Sequence, residues 1–241
     1  MIQWTIMQGL SQAFKIETFE IGPMQNLIYL IWDIKTKKAA IVDPAWDLSS
    51  IYSYIKKNNL ILEKILLTHS HHDHVNAIDE ILVKNDVQIH INKKEKSFWE
   101  KTYDNFYTND GDDLIILGET QIRTMHTPGH TPGSACYLIG KNLIAGDTLF
   151  VFGCGRCDLH GGNPEEMYTT LKNLKSHLTS KTLILPGHNY STKKTSTLKE
   201  QIEGNPFFHF NDLGKFVNYR MNVHDKIRET PYSFHEKKHS H

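Results

Sequence analysis

Thr68-His69-Ser70-His71-His72-Asp73-His74 follows the apolar run Lys64-Ile65-Leu66-Leu67, and its reading decides the fold. It packs five candidate metal ligands into seven residues at the end of a stretch with strand character. In an extended segment successive side chains alternate faces, so His69, His71 and Asp73 share one side while Ser70 and His72 point away. His74 joins from the turn that follows. The pattern is therefore HxHxDH with His72 set aside, a metal loop at the end of a strand.

Working outward, apolar runs bounded by Gly, Pro, Asp and Asn recur at Asn26–Trp32, Ala39–Val42, Lys64–Leu67, Val87–Ile91, Leu114–Leu117, Gln121–Met125, Ala135–Ile139, Asn142–Ala145 and Thr182–Leu185. These read as strands. Helical spacing appears at Leu48, Ile51, Ile55, at Val75, Ile78, Ile81, Leu82, and at Met167, Leu171, Leu174, Leu178. The last of these has a start signal: Asn163 as cap, Pro164 at the first helical position and Glu166 three residues after the cap. Meanders mixed with strand–helix units predict an α+β architecture of two mixed sheets between helices, an αββα sandwich, over residues 1–191. Residues 192–241 read as a short helical extension without a core of its own, with helices at Thr195–Glu203 and Asp212–Lys226. The polar tail His235–His241 reads as a frayed or appended end rather than a metal site.

The 241 residues suffice to bury a full core without a structural metal. Lysine plus arginine and aspartate plus glutamate each number 27, so the formal charge cancels. That argues against nucleic acid or an anionic membrane as partner, both of which favour concentrated positive charge. A small neutral or anionic metabolite fits better. Cys136, Cys154 and Cys157 are too few for a disulfide framework, and Cys154-x-x-Cys157 lacks the second pair that a zinc ribbon needs. Without a leader-like start or an apolar run of about 20 residues the chain reads as cytoplasmic.

Four isolated residues follow predicted strands: His126, His130, Asp147 and His188. His130 lies in Thr127-Pro128-Gly129-His130-Thr131-Pro132-Gly133, His188 follows Pro186-Gly187, and Asp147 follows Gly146. In such turns Gly permits unusual backbone or close approach and Pro stiffens the chain, so the donor is held with little entropy left to lose. His126 lacks the Gly and reads as structural. Seven donors exceed what one tetrahedral ion uses, since a catalytic ion keeps one position for water. The reading that divides them best gives His69, His71 and His130 to one ion and Asp73, His74 and His188 to a second, with Asp147 bridging. Two divalent ions, zinc first and iron or manganese next, would generate a bridging hydroxide at neutral pH without a Ser or Cys nucleophile. Protonation of a leaving group could come from water or Asp73, and a thiolate scarcely needs it because a thiol pKa is already about 8.5.

Asp43-Pro44, the HxHxDH run, the Pro-Gly-His-Thr-Pro-Gly turn around His130, Gly146-Asp147 and Pro186-Gly187-His188 together resemble, in order, the successive motifs of the metallo-β-lactamase superfamily. Gly146-Asp147-Thr148-Leu149-Phe150, Gly153-Cys154-Gly155-Arg156, Asn163-Pro164-Glu165-Glu166-Met167, Ser196-Thr197-Leu198 and Asn205-Pro206-Phe207 resemble its glyoxalase II (hydroxyacylglutathione hydrolase) branch. The resemblance implies a two-metal groove at one edge of the sheets and hydrolysis of a thioester such as S-lactoylglutathione. It also implies that Asp43 braces the ligand loop, that Arg156 lies near the carrier or acyl group and that Tyr190 contacts the glutathione backbone. The chain departs from that branch in its short C-terminus and in carrying His209 near the position of a substrate-binding arginine. Arg220 and Lys226 are the available substitutes.

Two other readings compete. The persulfide dioxygenases are similar in Gly155-Arg156-x-Asp158 and Gly187-His188-x-Tyr190, and would hold one iron through His71, His130 and Asp147. Hydrolases of acyl groups carried on phosphopantetheine, including those of polyketide gene clusters, share the short C-terminus. A non-catalytic metal-binding member of the fold is a further class, against which the intact donor set argues.

Overall fold

The computed structural model describes residues 13–236. The readings of a leaderless start and of the tail beyond Glu236 fall outside the described residues. Among those described, one six-stranded sheet runs in sequence order: β1 Phe14–Ile21, β2 Asn26–Asp33, β3 Lys38–Val42, β4 Ile61–Leu66, β5 Gln88–Asn92 and β6 Phe106–Asn109. The first three strands pair antiparallel and the rest parallel. The second sheet takes β7 Leu114–Leu117, β8 Thr120–His126, β9 Ala135–Ile139 and β10 Asn142–Gly146 as an antiparallel meander. A short ribbon, β11 Leu149–Phe150 with β12 Gly153–Cys154, follows. The sheet then continues through β13 Leu183–Pro186, parallel to β10, to the edge strand β14 Ser196–Thr197.

Period-two burial explains the stacking. Leu27, Tyr29 and Ile31 of β2 face the second sheet, where they meet Ile122, Tyr137, Ile144 and Leu185. The alternate residues Ile28, Leu30 and Trp32 face outward into a cluster with Ile51 of α1 Ser49–Lys57 and with Ile78 and Ile81. Both faces of β2 are thus buried, and the strand is apolar without a break. The outer face of the second sheet packs on Met167, Leu171 and Leu174 of the helix Pro164–His177. The layers are helix, sheet, sheet, helix, as expected for an αββα sandwich.

Leu198, Phe207 and Phe216 from beyond residue 191 join the same cluster as Met167. One turn there differs from the sequence reading: Ser196–Thr197 is strand, and the helix begins only at Leu198 with Thr197 and Glu200 forming a capping box. Asp212 caps the next helical segment, which contains a π-turn at Tyr219–Val223 before its last turn at His224–Ile227.

Other differences have plain causes. β1 carries Lys15, Glu17 and Glu20 and has no fully buried residue, so it lacks an apolar run. The short helices α2 His72–Val75, α3 Ile78–Lys84 and α4 Lys93–Phe98 interrupt the first sheet. α4, Lys-Lys-Glu-Lys-Ser-Phe, reads from sequence as a charged run. Its reason for being ordered is a buried acid, Glu95.

The sheets are stitched together at one edge. Leu27 N donates to Gly187 O at 2.8 Å and Ala135 N to Thr68 O at 2.8 Å. Two fully buried tyrosines cross the interface in opposite directions. Tyr29 of the first sheet donates to Pro186 O at 2.7 Å, and Tyr137 of the second donates to Leu67 O at 2.7 Å.

Candidate metal centre

The stitched edge is where the predicted ligands gather. β4 ends at Leu66, and the chain turns into α2 with His71 as its N-cap residue in extended conformation. The alternation expected through Asp73 therefore stops at His71: Asp73 and His74 are delivered by a helical turn. His72 is exposed on that turn. His130 comes from the loop after β8, Asp147 from the end of β10 and His188 from the end of β13.

Two groups of donors form. His69, His71 and His130 have ligand atoms within 4.8 Å of one another, and so do Asp73, His74 and His188. Asp147 stands between them. Its Oδ1 lies 3.3 Å from His74 Nε2 and 3.4 Å from His188 Nε2, and its Oδ2 lies 3.6 Å from His130 Nε2. Asp73 Oδ2 is 3.5 Å from His74 Nε2 and 3.4 Å from His188 Nε2. Asp43, His69 and His74 form a third close group, which reflects Asp43's contact with the back of His74.

Hydrogen bonds on the far side of each ring fix the tautomers. His74 Nδ1 donates to Asp43 Oδ2 at 3.0 Å, His130 Nδ1 to Arg156 O at 2.8 Å and His188 Nδ1 to Met24 O at 2.9 Å. Thr68 Oγ1 donates to Asp43 Oδ2 at 2.5 Å, so it accepts from His69 Nδ1 at 3.0 Å. In all four rings the Nε2 lone pair is left pointing inward, the arrangement in which an imidazole ligates a metal. His69 Nε2, His130 Nε2 and Asp147 Oδ1 are buried without a hydrogen-bond partner, which is costly unless a cation completes them. The donor set suits such an ion: imidazole nitrogens and carboxylate oxygens are the ligands of zinc and iron.

Protonation separates the groups. Burial pushes His69 well below the ordinary histidine range, lowers His71 and takes His130 to about 4. Burial acts on His74 and His188 as well, but the Asp147 carboxylate outweighs it and raises both, His74 well above its ordinary value. Asp147 is also buried, yet His188 and His74 hold it well below the usual carboxylate range.

Two braces escaped the sequence reading. The buried Glu95 accepts from Ser70 N at 2.8 Å and Ser70 Oγ at 2.6 Å with one oxygen, and from Thr131 Oγ1 at 2.7 Å and Gly133 N at 3.0 Å with the other. One carboxylate thus ties the His69–His71 loop to the His130 loop. Asn26 Nδ2 donates to Asp73 O at 2.9 Å and Oδ2 at 3.1 Å, while its Oδ1 accepts from Trp46 Nε1 at 2.8 Å. In sequence Glu95 sits among lysines and Asn26 looks like a strand boundary, so neither carried a signal. Gly187 shows how tightly the loops meet: a Cβ there would lie 2.4 Å from Asp147 Oδ1.

The donors open on a cleft of about 1210 Å³ whose lining includes His71, Asp73, Asp147, Arg156, Tyr190 and Arg228. Tyr190 stacks on His188 with ring centroids 4.6 Å apart and planes at 6°. Arg156 is paired through Nε and Nη2 with Asp158 at 2.8 and 2.6 Å. Arg220, a substitute suggested by sequence, is buried and bound to Asp225 at 2.6 Å. His126 Nε2 donates to Pro132 O at 2.9 Å. Cys154 and Cys157 are buried free thiols, and burial raises Cys157 to about 12.

The ordered ligand strands, loops and two-sheet edge match a known family over residues 21–188, the metallo-beta-lactamase superfamily. The chain belongs to that superfamily. It is 32% identical over 216 residues to a probable polyketide biosynthesis zinc-dependent hydrolase, PksB, of Bacillus subtilis, covering 87% of this chain and 96% of that protein. It is 33% identical to a hydroxyacylglutathione hydrolase of Dictyostelium discoideum, over 79% of this chain and 73% of that protein. ETHE1 from Myxococcus xanthus shares the fold with a TM-score of 0.79 at 24% identity, over 87% of this chain and 91% of that one. With its His/Asp clusters, the chain is a metal-dependent hydrolase of the metallo-beta-lactamase superfamily. Among the described residues no helix is long and apolar enough to cross a membrane.

Proposed function

We propose that this protein hydrolyses thioesters at a centre of two divalent metal ions, one held by His69, His71 and His130 and the other by Asp73, His74 and His188. The observation that carries the reading is Asp147, whose two oxygens face different donor groups. When bound, such a pair of ions supplies a hydroxide nucleophile at neutral pH and polarises a carbonyl. The protein's own contribution is order. Asp43, Thr68, Met24 O and Arg156 O orient the imidazoles, and Glu95 and Asn26 hold the loops in register. Asp73 and Asp147 are the carboxylates of the donor groups that line the cleft, and Asp73 is the one assigned a proton-handling role. A thiolate leaving group asks little of it.

Arg156 and Tyr190 serve as contacts for the thiol carrier. A phosphopantetheine-linked and a glutathione-linked acyl group are the two candidate substrates, the first from the likeness to the PksB hydrolase and the second from the likeness to the hydroxyacylglutathione hydrolase. Residues 192–236 on this reading extend the single domain and wall its cleft. Zinc is the first expectation for the ions, with iron or manganese as alternatives.

Metal content per chain, measured beside hydrolysis of S-lactoylglutathione and acetyl-coenzyme A, tests the proposal. Two equivalents of metal with turnover of either thioester is the expected result. One iron per chain with oxygen uptake on glutathione persulfide would replace it by the dioxygenase reading.

A further inference from the structure

A second hollow of about 570 Å³ adjoins the large cleft at His71, which lines both. A thioester has two arms, acyl and thiol, leaving its carbonyl carbon in different directions. With that carbon at the donor groups, the two hollows offer the two arms separate courses.

The two hollows differ in chemistry. The large cleft carries, beside Phe150, Tyr190 and Tyr232, the exposed guanidinium groups of Arg156 and Arg228, suited to a polar, anionic carrier. The smaller hollow is walled by rings. Phe98 and His160 stack with centroids 5.2 Å apart and planes at 25°, and Trp99 leans on Tyr103 and Phe106 at 5.9 and 6.0 Å. Glu100 and Lys101 complete its lining, and Lys101 is engaged by Asp79 at 2.7 Å.

We propose that the hollow between Phe98, Trp99 and His160 receives the acyl arm, an aliphatic or aryl group larger than acetyl, and sets the acyl preference of the enzyme. The proposal rests on the thioester reading above. It deepens that reading by naming which arm goes where.

The walls are tied to the chemistry. Phe98 and Trp99 lie one turn beyond Glu95, the residue whose carboxylate fixes both ligand loops, and Trp99 N donates to Glu95 O at 2.8 Å. Opposite them, Gly161 presses against Phe98 so closely that a Cβ would lie 2.6 Å from Cε2, which holds the His160 loop to the ring. Acyl wall and metal ligands therefore keep one register, as selection by fit around a reacting carbon demands.

The experiment compares acetyl- and hexanoyl-coenzyme A as substrates of the metal-loaded wild type, Trp99→Ala and His160→Ala, and measures calorimetrically how acetate and hexanoate bind each protein. Trp99→Ala is expected to raise KM for the hexanoyl ester about tenfold while leaving the acetyl ester within about twofold, and to abolish the advantage of hexanoate over acetate. His160 is exposed, so its variant folds and is expected to give a smaller loss of the same sign. Hydrolysis that falls equally for both esters, with hexanoate binding unchanged, overturns the acyl assignment and leaves the thioester reading standing. Trp99-dependent hexanoate binding without hydrolysis of either ester supports the apolar site and sinks the thioester reading instead. Neither hydrolysis nor Trp99-dependent binding sinks both.

Discussion

The two donor groups lie side by side around Asp147, yet the protein treats them differently. Three imidazoles form the first, all driven toward neutrality by burial, with His71 half-exposed at the cleft. The second adds a carboxylate, Asp73, and its imidazoles are raised by Asp147. Their supports differ too: Glu95 braces the first through Ser70, Thr131 and Gly133, and Asn26 braces the second through Asp73. Three neutral nitrogens offer a cation lone pairs already free of protons. Two raised imidazoles beside two carboxylates offer more charge, but compete with protons up to a higher pH.

The sharpest way to break the distinction is Asp147→Asn, which weakens the element common to both groups. Metal content at both positions and thioester hydrolysis should fall together, by more than the roughly 100-fold that loss of an outer partner costs. Full retention of one ion would show that Asp147 serves a single position. Next in size are His71→Ala and His188→Ala. Each should leave about one ion per chain by elemental analysis, and the ion that stays should differ in its sensitivity to acid.

The braces come third. Glu95→Gln offers one acceptor oxygen where four donors compete for two, so metal affinity should drop roughly 10- to 100-fold at the His69, His71 and His130 position and little at the other. Asn26→Ala should show the reverse preference. Equal losses from both variants would mean the two positions are one mechanical unit.

The smallest effect is a proton count. Because Asp147 raises His74 and His188 while burial lowers His69, His71 and His130, the first two hold protons to higher pH in the metal-free protein, and a cation has more proton to displace there. Calorimetric titration of metal in two buffers of different ionisation enthalpy should show more proton release in one binding step than in the other. By the same sign, on acidification the Asp73, His74 and His188 position should empty first.

Sequence made the clustered donor side chains legible because each is a residue type with few other reasons to be there. His130 and His188 sit in Gly- and Pro-stiffened turns after strands, and the HxHxDH run stands out at any register. The division into two trios could be read from donor count, although the route from His71 to Asp73 is a helical turn rather than continued strand. Glu95 was invisible because its importance lies in partners some 25 and 36 residues away, and its neighbours are lysines that face solvent. In the fold, strands buried on both faces, such as β2, announced themselves as apolar runs. β1 did not, since none of its positions is fully buried.

Each trio takes two residues from the loop after β4, on one sheet, and one from a loop of the other sheet, His130 or His188. A cation in either position is therefore a rivet through the sandwich, driven where Tyr29 and Tyr137 already clamp the layers. Loading then contributes to holding the halves shut, and the melting temperature should climb with free metal concentration. Starved of metal, the molecule should loosen along the seam from which the reaction is run.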